Sequence, residues 1–454
     1  MFSFGSQIAQ FSNIGLESES QASLLINTTT LYSTVDVFLI VSEPAETGSF
    51  VVNNESPNQQ SVVALVVTDG EKDDYTGNRS FGQFTLAGEK FRPSVFHEGT
   101  TLIINSSGGG ILLQRNELTP NELYIEGTVH WMEGEFVVEE NALIHLTKST
   151  QLQFDELPVS LVPEEAQNYE PPTGPLRPYD PYDPPYPGDE GDGRNKQTEY
   201  RISGSGTFII ETSSISQNLQ RNLSILGTLV KIKSSEAVRL EQCSGKVFNM
   251  YENTTFHVES GFHTNCGINI DKSTLKLHSE DSQTLEMRVS QTTFKANSLN
   301  FEIRDSVSLF NQTNSHYNQS VISIQGDAGN MVNLNSQLNL ENESTMQCGE
   351  SAALFFHENS EFIQRDSSLV LLNASRIELY ANSVYNISGG VEMFHHSSIS
   401  LSLHSTLNLL NGNMNLFDNS SISLSSNSRI EAVAVSINPP LFFYNFPPIV
   451  LIIL

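Results

Sequence analysis

The chain is poor in cysteine, tryptophan and basic residues. Three cysteines in 454 residues cannot supply the disulfide framework of a small secreted scaffold. Cys243, Cys266 and Cys348 also lack the paired spacing of a zinc site. Lys and Arg total 23 against 52 Asp and Glu, a formal net charge of −29. Phosphate backbones and anionic lipid surfaces are held by clustered Lys and Arg, so this balance argues against nucleic acid as a partner and against docking on anionic membranes, leaving a membrane link only through the C-terminal tail or a missing anchor. Its simplest consequence is solubility, because like charge keeps strand-rich molecules apart. Long amphipathic helical patterns are missing, and charged residues make up only 17%. Ser, Thr and Asn fill the polar positions instead.

What is present is a repeat. Ser397-Ser398-Ile399-Ser400-Leu401-Ser402 returns as Ser420-Ser421-Ile422-Ser423-Leu424-Ser425, 23 residues later. Ile377 and Leu379 precede Ile399 and Leu401 by 22 residues, and Leu354 and Phe356 precede Ile377 and Leu379 by 23. Between these points lie short alternating runs such as Ile377-Glu378-Leu379-Tyr380, separated by Asn, Ser and Gly turn formers. A strand about every eight residues gives about three per coil, the arithmetic of a parallel β-helix. An antiparallel sandwich would also have short strands, but Asn411-Gly412 is the only Asn-Gly hairpin signal. The expected fold is all-β, a right-handed parallel β-helix solenoid of roughly 22–24 residues per coil.

A second pattern lies earlier. Gly127-Thr128 and Trp131 are followed by Gly134, a strand, and then Ala142-Leu143 with Leu146; Gly206-Thr207 echoes the start. This resembles the repeats of secreted or cell-surface adhesin-like proteins with the right-handed parallel β-helix, or pectin-lyase-like, fold. The resemblance implies a structural or adhesive role outside the cell.

Polysaccharide lyases and hydrolases share that fold, so the resemblance also admits an enzyme. The Asn-Thr-Asp and Gly-His-Gly signatures of pectinase-type hydrolases are absent. Asp73-Asp74, Glu139-Glu140 and His395-His396 are adjacent pairs, which strand geometry sends to opposite faces. His357, Glu361 and Asp366 are spaced to converge on one coil face, though surface groups of this kind are usually only solvated. Gly108-Gly109-Gly110 precedes a strand and reads as a turn, and no nucleophile elbow or His-Glu-x-x-His occurs. No catalytic, cofactor or metal residue is assigned.

Asn-x-Ser/Thr sequons begin at Asn27, Asn54, Asn78, Asn105, Asn222, Asn253, Asn311, Asn318, Asn342, Asn373, Asn386 and Asn419. They are candidate glycosylation sites if the chain enters the secretory pathway. Cys243 and Cys266 are one coil apart and within reach of a disulfide, but the less regular register around them favours free buried thiols.

Five regions are expected. Residues 1–118 form a β-rich start, either entry coils or a small β-domain, and 119–156 the first coils. Residues 157–200 are a Pro/Tyr/Asp-rich disordered insert, 201–437 the main solenoid and 438–454 a hydrophobic tail. Within the insert, a partner-binding rod and a calcium site at Asp189, Glu190 and Asp192 are weighed against an inert loop, which is preferred. No signal peptide is evident at Met1-Phe2-Ser3. The tail reads as a lipid-anchor signal, a poor membrane anchor, or the mark of a fragment of a larger membrane-anchored surface protein, the last preferred. The expectation is a non-enzymatic extracellular or cell-surface module with carbohydrate or other surface proteins as partners and no cofactor. A carbohydrate-active enzyme on the same scaffold is the rival. An intracellular structural protein is a further alternative, should the lack of a signal peptide be genuine.

Overall fold

Inward-facing apolar residues stack from coil to coil, which is what the repeat predicts. Leu354 pairs with Ile377, Ile377 with Ile399 and Ile399 with Ile422, all in parallel register. The first three of these are fully buried. Each apolar side chain therefore covers the one before it, and burial of this kind contributes about 25 cal/mol per Å² of apolar surface. The computed structural model is all-β with no helix among the described residues, its parallel sheets stacked as a β-solenoid of about 12 turns. It describes residues 93–115, 120–154 and 199–432 apart from 217, 244 and 279–284. Phe84 and Leu86 are also described, as is the backbone of strand segments between 9 and 88, at Val435–Asn438 and at Ile452–Ile453. The insert within 157–200 lies outside the described residues up to 198, as does most of the tail.

The chain divides into two compact units, residues 1–137 with 150–200, and residues 138–149 with 201–454. In the first, Trp131 is 2% exposed and sits among Phe136, Phe154 and Tyr200, with ring centroids 4.8, 6.0 and 5.3 Å away. Its indole N–H donates to the Gly134 carbonyl at 3.1 Å. Gly127 is required because a Cβ there would lie 2.3 Å from the Thr100 carbonyl oxygen. The Gly-Thr-x-x-Trp-x-x-Gly pattern is thus a packing device.

In the second unit three sheets face outward. The first has nine strands, from Val238–Leu240 to Ser421–Leu424, with Asn330–Leu334 as its middle strand. The second runs through Gly267–Asp271, Thr293–Asn297, Asn314–Asn318 and Gln337–Glu341. The third runs through Leu229–Ile232, Thr255–Val258, Thr274–His278 and Asn300–Arg304.

Between sheets the chain turns at residues in the left-handed backbone region. Some corners use one such residue, for example Lys272, Ser298 and Gln312 at φ of 48°, 53° and 50°. Others use two in a row, as at Glu358-Asn359, Ala381-Asn382, His395-His396 and Leu403-His404. The conformation costs a non-glycine residue about 1 kcal/mol. It turns a backbone N–H along the solenoid axis, where the next coil accepts it: Asn359 donates to Ala381 at 2.9 Å, Asn382 to Leu403 at 3.0 Å and His404 to Ser426 at 3.1 Å. Such a hydrogen bond contributes about 0.5–1.5 kcal/mol, enough to offset that cost.

A buried serine or threonine follows most corners. Ser383 is fully buried, and its hydroxyl lies 2.7 Å from the Tyr380 carbonyl and 3.0 Å from that of Phe356 in the preceding coil. Ser360 and Ser344 repeat the arrangement, and their oxygens accept the backbone N–H of Ser336 and Ser320. Cys243 and Cys266, expected as free thiols, form a disulfide with Cα atoms 5.1 Å apart. Val238 pairs with Phe262 beside them, so residues one coil apart lie almost directly above one another there. Cys348 is a buried free thiol, its pKa pushed up to about 12 by burial.

The Ser383→Ala substitution is expected to destabilise the fold by about 0.5–1.5 kcal/mol, because the Tyr380 and Phe356 carbonyls lose their shared hydroxyl donor while Phe356 keeps the Tyr380 N–H. Urea denaturation of both proteins checks it; an unchanged midpoint would contradict the corner role.

Candidate functional site

An open groove of about 630 Å³ lies on the outer face of the second sheet. Its lining comes from four successive strands. Alternation sends Ile268, Ile270, Phe294, Ala296 and Tyr317 inward, where all are buried, and leaves the intervening polar residues facing out. Register then places Asn269, Lys295 and His316 in one outward column and Asp271, Asn297 and Asn318 in the next. Tyr251 completes the wall.

The second column is a side-chain ladder. The Asn297 amide donates to Asp271 at 2.5 Å, the Asn318 amide to Asn297 at 2.6 Å and the Asn342 amide to Asn318 at 2.7 Å. Asn249 and Asn269 form a parallel rung at 3.2 Å. Each amide is both donor and acceptor, so its neighbours hold its orientation without a backbone constraint. The groove floor is a fixed row of amides with one carboxylate, Asp271, and one ammonium, Lys295.

The same device recurs near the C-terminal end of the sheet. Glu361 accepts from Gln337 at 2.9 Å and from Asn386 at 2.7 Å, and Asn386 accepts from Asn408 at 2.8 Å.

On the third sheet, register stacks Lys231, His257 and Lys276. Glu259, with its side chain 8% exposed, lies 2.9 Å from Lys233, 3.7 Å from Lys231 and 3.2 Å from His257. Burial lowers the His257 pKa more than the Glu259 carboxylate raises it, and the charges of Lys231, His278 and Lys276 lower it further. Burial likewise lowers that of His263, with Arg239 adding to the effect.

The proposed convergence of His357, Glu361 and Asp366 does not occur. His357 faces out from the first sheet and Glu361 lies on the second; Asp366, at φ 44°, is the corner that leaves it. The intervening corner at Glu358-Asn359 turns the chain away. His395 and His396 are consecutive corner residues and not strand neighbours, and His395 lies 3.2 Å from Asp418. Glu139-Glu140 precedes the strand Ala142–Leu146, and Asp73-Asp74 lies outside the described residues. Among the described residues no group of three or more His, Cys, Asp or Glu is placed to hold a metal ion, and no helix is long and apolar enough to cross a membrane.

The sequons divide by environment. Asn253, Asn373 and Asn419 are exposed corner residues. Asn318, Asn342 and Asn386 donate their amides to the ladders, and Asn222 accepts the Val247 N–H at 3.0 Å. Asn311 faces out from the first sheet, and Asn105 is half-buried in a strand. Asn27 ends a strand described by its backbone, while Asn54 and Asn78 fall outside the described residues. In four of them the hydroxyl residue is buried at a corner: Thr313, Ser320, Ser344 and Ser375.

Two outcomes are expected. Asn297→Ala should lose about 1–2 kcal/mol of stability, one ladder rung on each side. Asn297→Asp should lose more at pH 7, because a second carboxylate against Asp271 is held above its ordinary pKa, and should recover as the pH falls to about 4. Chemical denaturation at both pH values measures this. The depressed histidines predict a separate trend, since the unfolded chain binds protons below pH 6.5 that folded His257 and His263 resist. Stability is therefore present above that value and falls as the pH drops below it. Thermal melts of the His257→Gln and His263→Gln double variant should show a flatter slope from pH 7 to 5 than the parent.

No family model, no curated protein and no solved structure matches the chain.

Proposed function

We propose that the chain is a non-enzymatic structural and adhesion module of the cell surface or extracellular space, of the adhesin-like, pectin-lyase-like kind, whose amide-floored groove binds carbohydrate. The observation that carries this reading is the row Asp271–Asn297–Asn318–Asn342, in which fixed amides face solvent at coil spacing. Amides offer donors and acceptors to sugar hydroxyls, and a floor held by its own hydrogen bonds loses little freedom on binding. Tyr251 and His316 in the same groove supply flat faces for the apolar side of a sugar ring.

The composition of the groove supports binding over turnover. Glycoside hydrolysis uses two carboxyl groups across the scissile bond, roughly 5–10 Å apart. The groove lining has only Asp271, and that carboxylate is engaged by Asn297.

A glycan array followed by calorimetry on the strongest hit tests the reading. Saturable binding is expected, weakened about tenfold or more by Asn297→Ala together with Lys295→Ala, with no new reducing ends released on prolonged incubation. Release of oligosaccharide products, or binding untouched by the double variant, would overturn it.

A further inference from the structure

The outer face of the nine-stranded sheet is apolar at its centre and charged on either side. Register sets Glu286, Val307, Asn330 and Arg376 in one outward column, with Ala353 in the same column but fully buried, and Arg288, Leu309, Val332, Phe355 and Glu378 in the next. Glu286 and Arg288 are paired at 2.8 Å along one strand, and Arg376 and Glu378 at 2.8 Å along another. The order of charge is opposite in the two pairs. Both stand two strands from Asn330–Leu334, the middle of the nine.

We propose that this sheet is a self-association face, on which a second copy docks about a two-fold axis lying along the Asn330–Leu334 strand, the two solenoid axes reversed. That operation keeps each column over itself and exchanges the strands on either side of the centre. Glu286 then faces Arg376 of the second copy, and Arg288 faces its Glu378. Leu309 meets Phe355, Asn311 meets His357, and Val332 meets itself. Each of these contacts is matched in charge or polarity, and those off the axis occur twice, as an isologous interface requires. With the axes running the same way about the sheet centre, Arg288 would meet Arg288 and Glu378 would meet Glu378. Sheets pack face to face at about 10 Å, enough for these side chains to interdigitate.

Nine strands about 4.8 Å apart, each with a few outward residues, cover roughly 600 Å² per copy, below the roughly 800 Å² of a standard interface. An interface of that size fits a weak, reversible association.

Sedimentation velocity on the full chain, loaded from about 1 to about 500 µM, tests the proposal. Protein from a host without N-glycosylation is used, since a glycan on Asn311 would obstruct the face. The sedimentation coefficient is expected to rise with concentration to the dimer value. Val332→Glu places two carboxylates on the two-fold axis and should leave a monomer throughout. Glu286→Arg should weaken association about tenfold, and adding Arg376→Glu should restore it to within about threefold. Circular dichroism confirms that these outward substitutions leave the fold intact. A monomer at every concentration, a dimer indifferent to Val332→Glu, or a charge reversal without rescue would each overturn the proposal.

Discussion

The fold depends on one hydrogen bond repeated at the corners: the N–H of a left-handed residue given to a carbonyl one coil along. Strand ladders alone would stack only the flat sides, leaving each turn with unpaired backbone groups. By entering the left-handed region at residues such as Asn359, Asn382 and His404, the chain carries the ladder around the bend. The buried hydroxyl that follows reaches back to the carbonyl before its own turn and to one in the preceding coil, as at Ser360 and Ser383. The apolar interior is closed at its corners by this polar seam.

The architecture was legible in the sequence where that interior is regular. Ile377, Ile399 and Ile422 occupy one stacked column, and their spacing holds nearly constant because three consecutive coils have almost the same length. The amide ladder was not legible. Its partners are 20, 26, 21 and 24 residues apart, so a single ruler misses them. The corners were also hidden, since their left-handed positions hold Asn, Glu, Ala, His and even Leu403, with only the following serine as a recurrent mark. His357, Glu361 and Asp366 were misread for that reason: an unrecognised bend at Glu358-Asn359 separates groups that look adjacent along the chain.

The same chemistry bears on the sequons. An asparagine tolerates a left-handed backbone, and a serine or threonine one or two places later closes the corner, so Asn-x-Ser/Thr arises from folding requirements alone. Asn342-Glu343-Ser344 and Asn373-Ala374-Ser375 have this form, and Glu358-Asn359-Ser360 and Ala381-Asn382-Ser383 are the same corner with asparagine shifted by one. Folding alone accounts for these two sequons. Asn253, Asn373 and Asn419 are the sites whose exposure suits an attached sugar.

The Cys243–Cys266 link has a mechanical consequence. Tension along the solenoid would peel coils from a free end one after another, since each is fastened mainly to its neighbours. A covalent rung between two adjacent coils halts that unzipping and confines extension to the segments on either side. Under oxidising conditions the chain would yield in two separate stretches instead of one, and a reductant would turn the brake off.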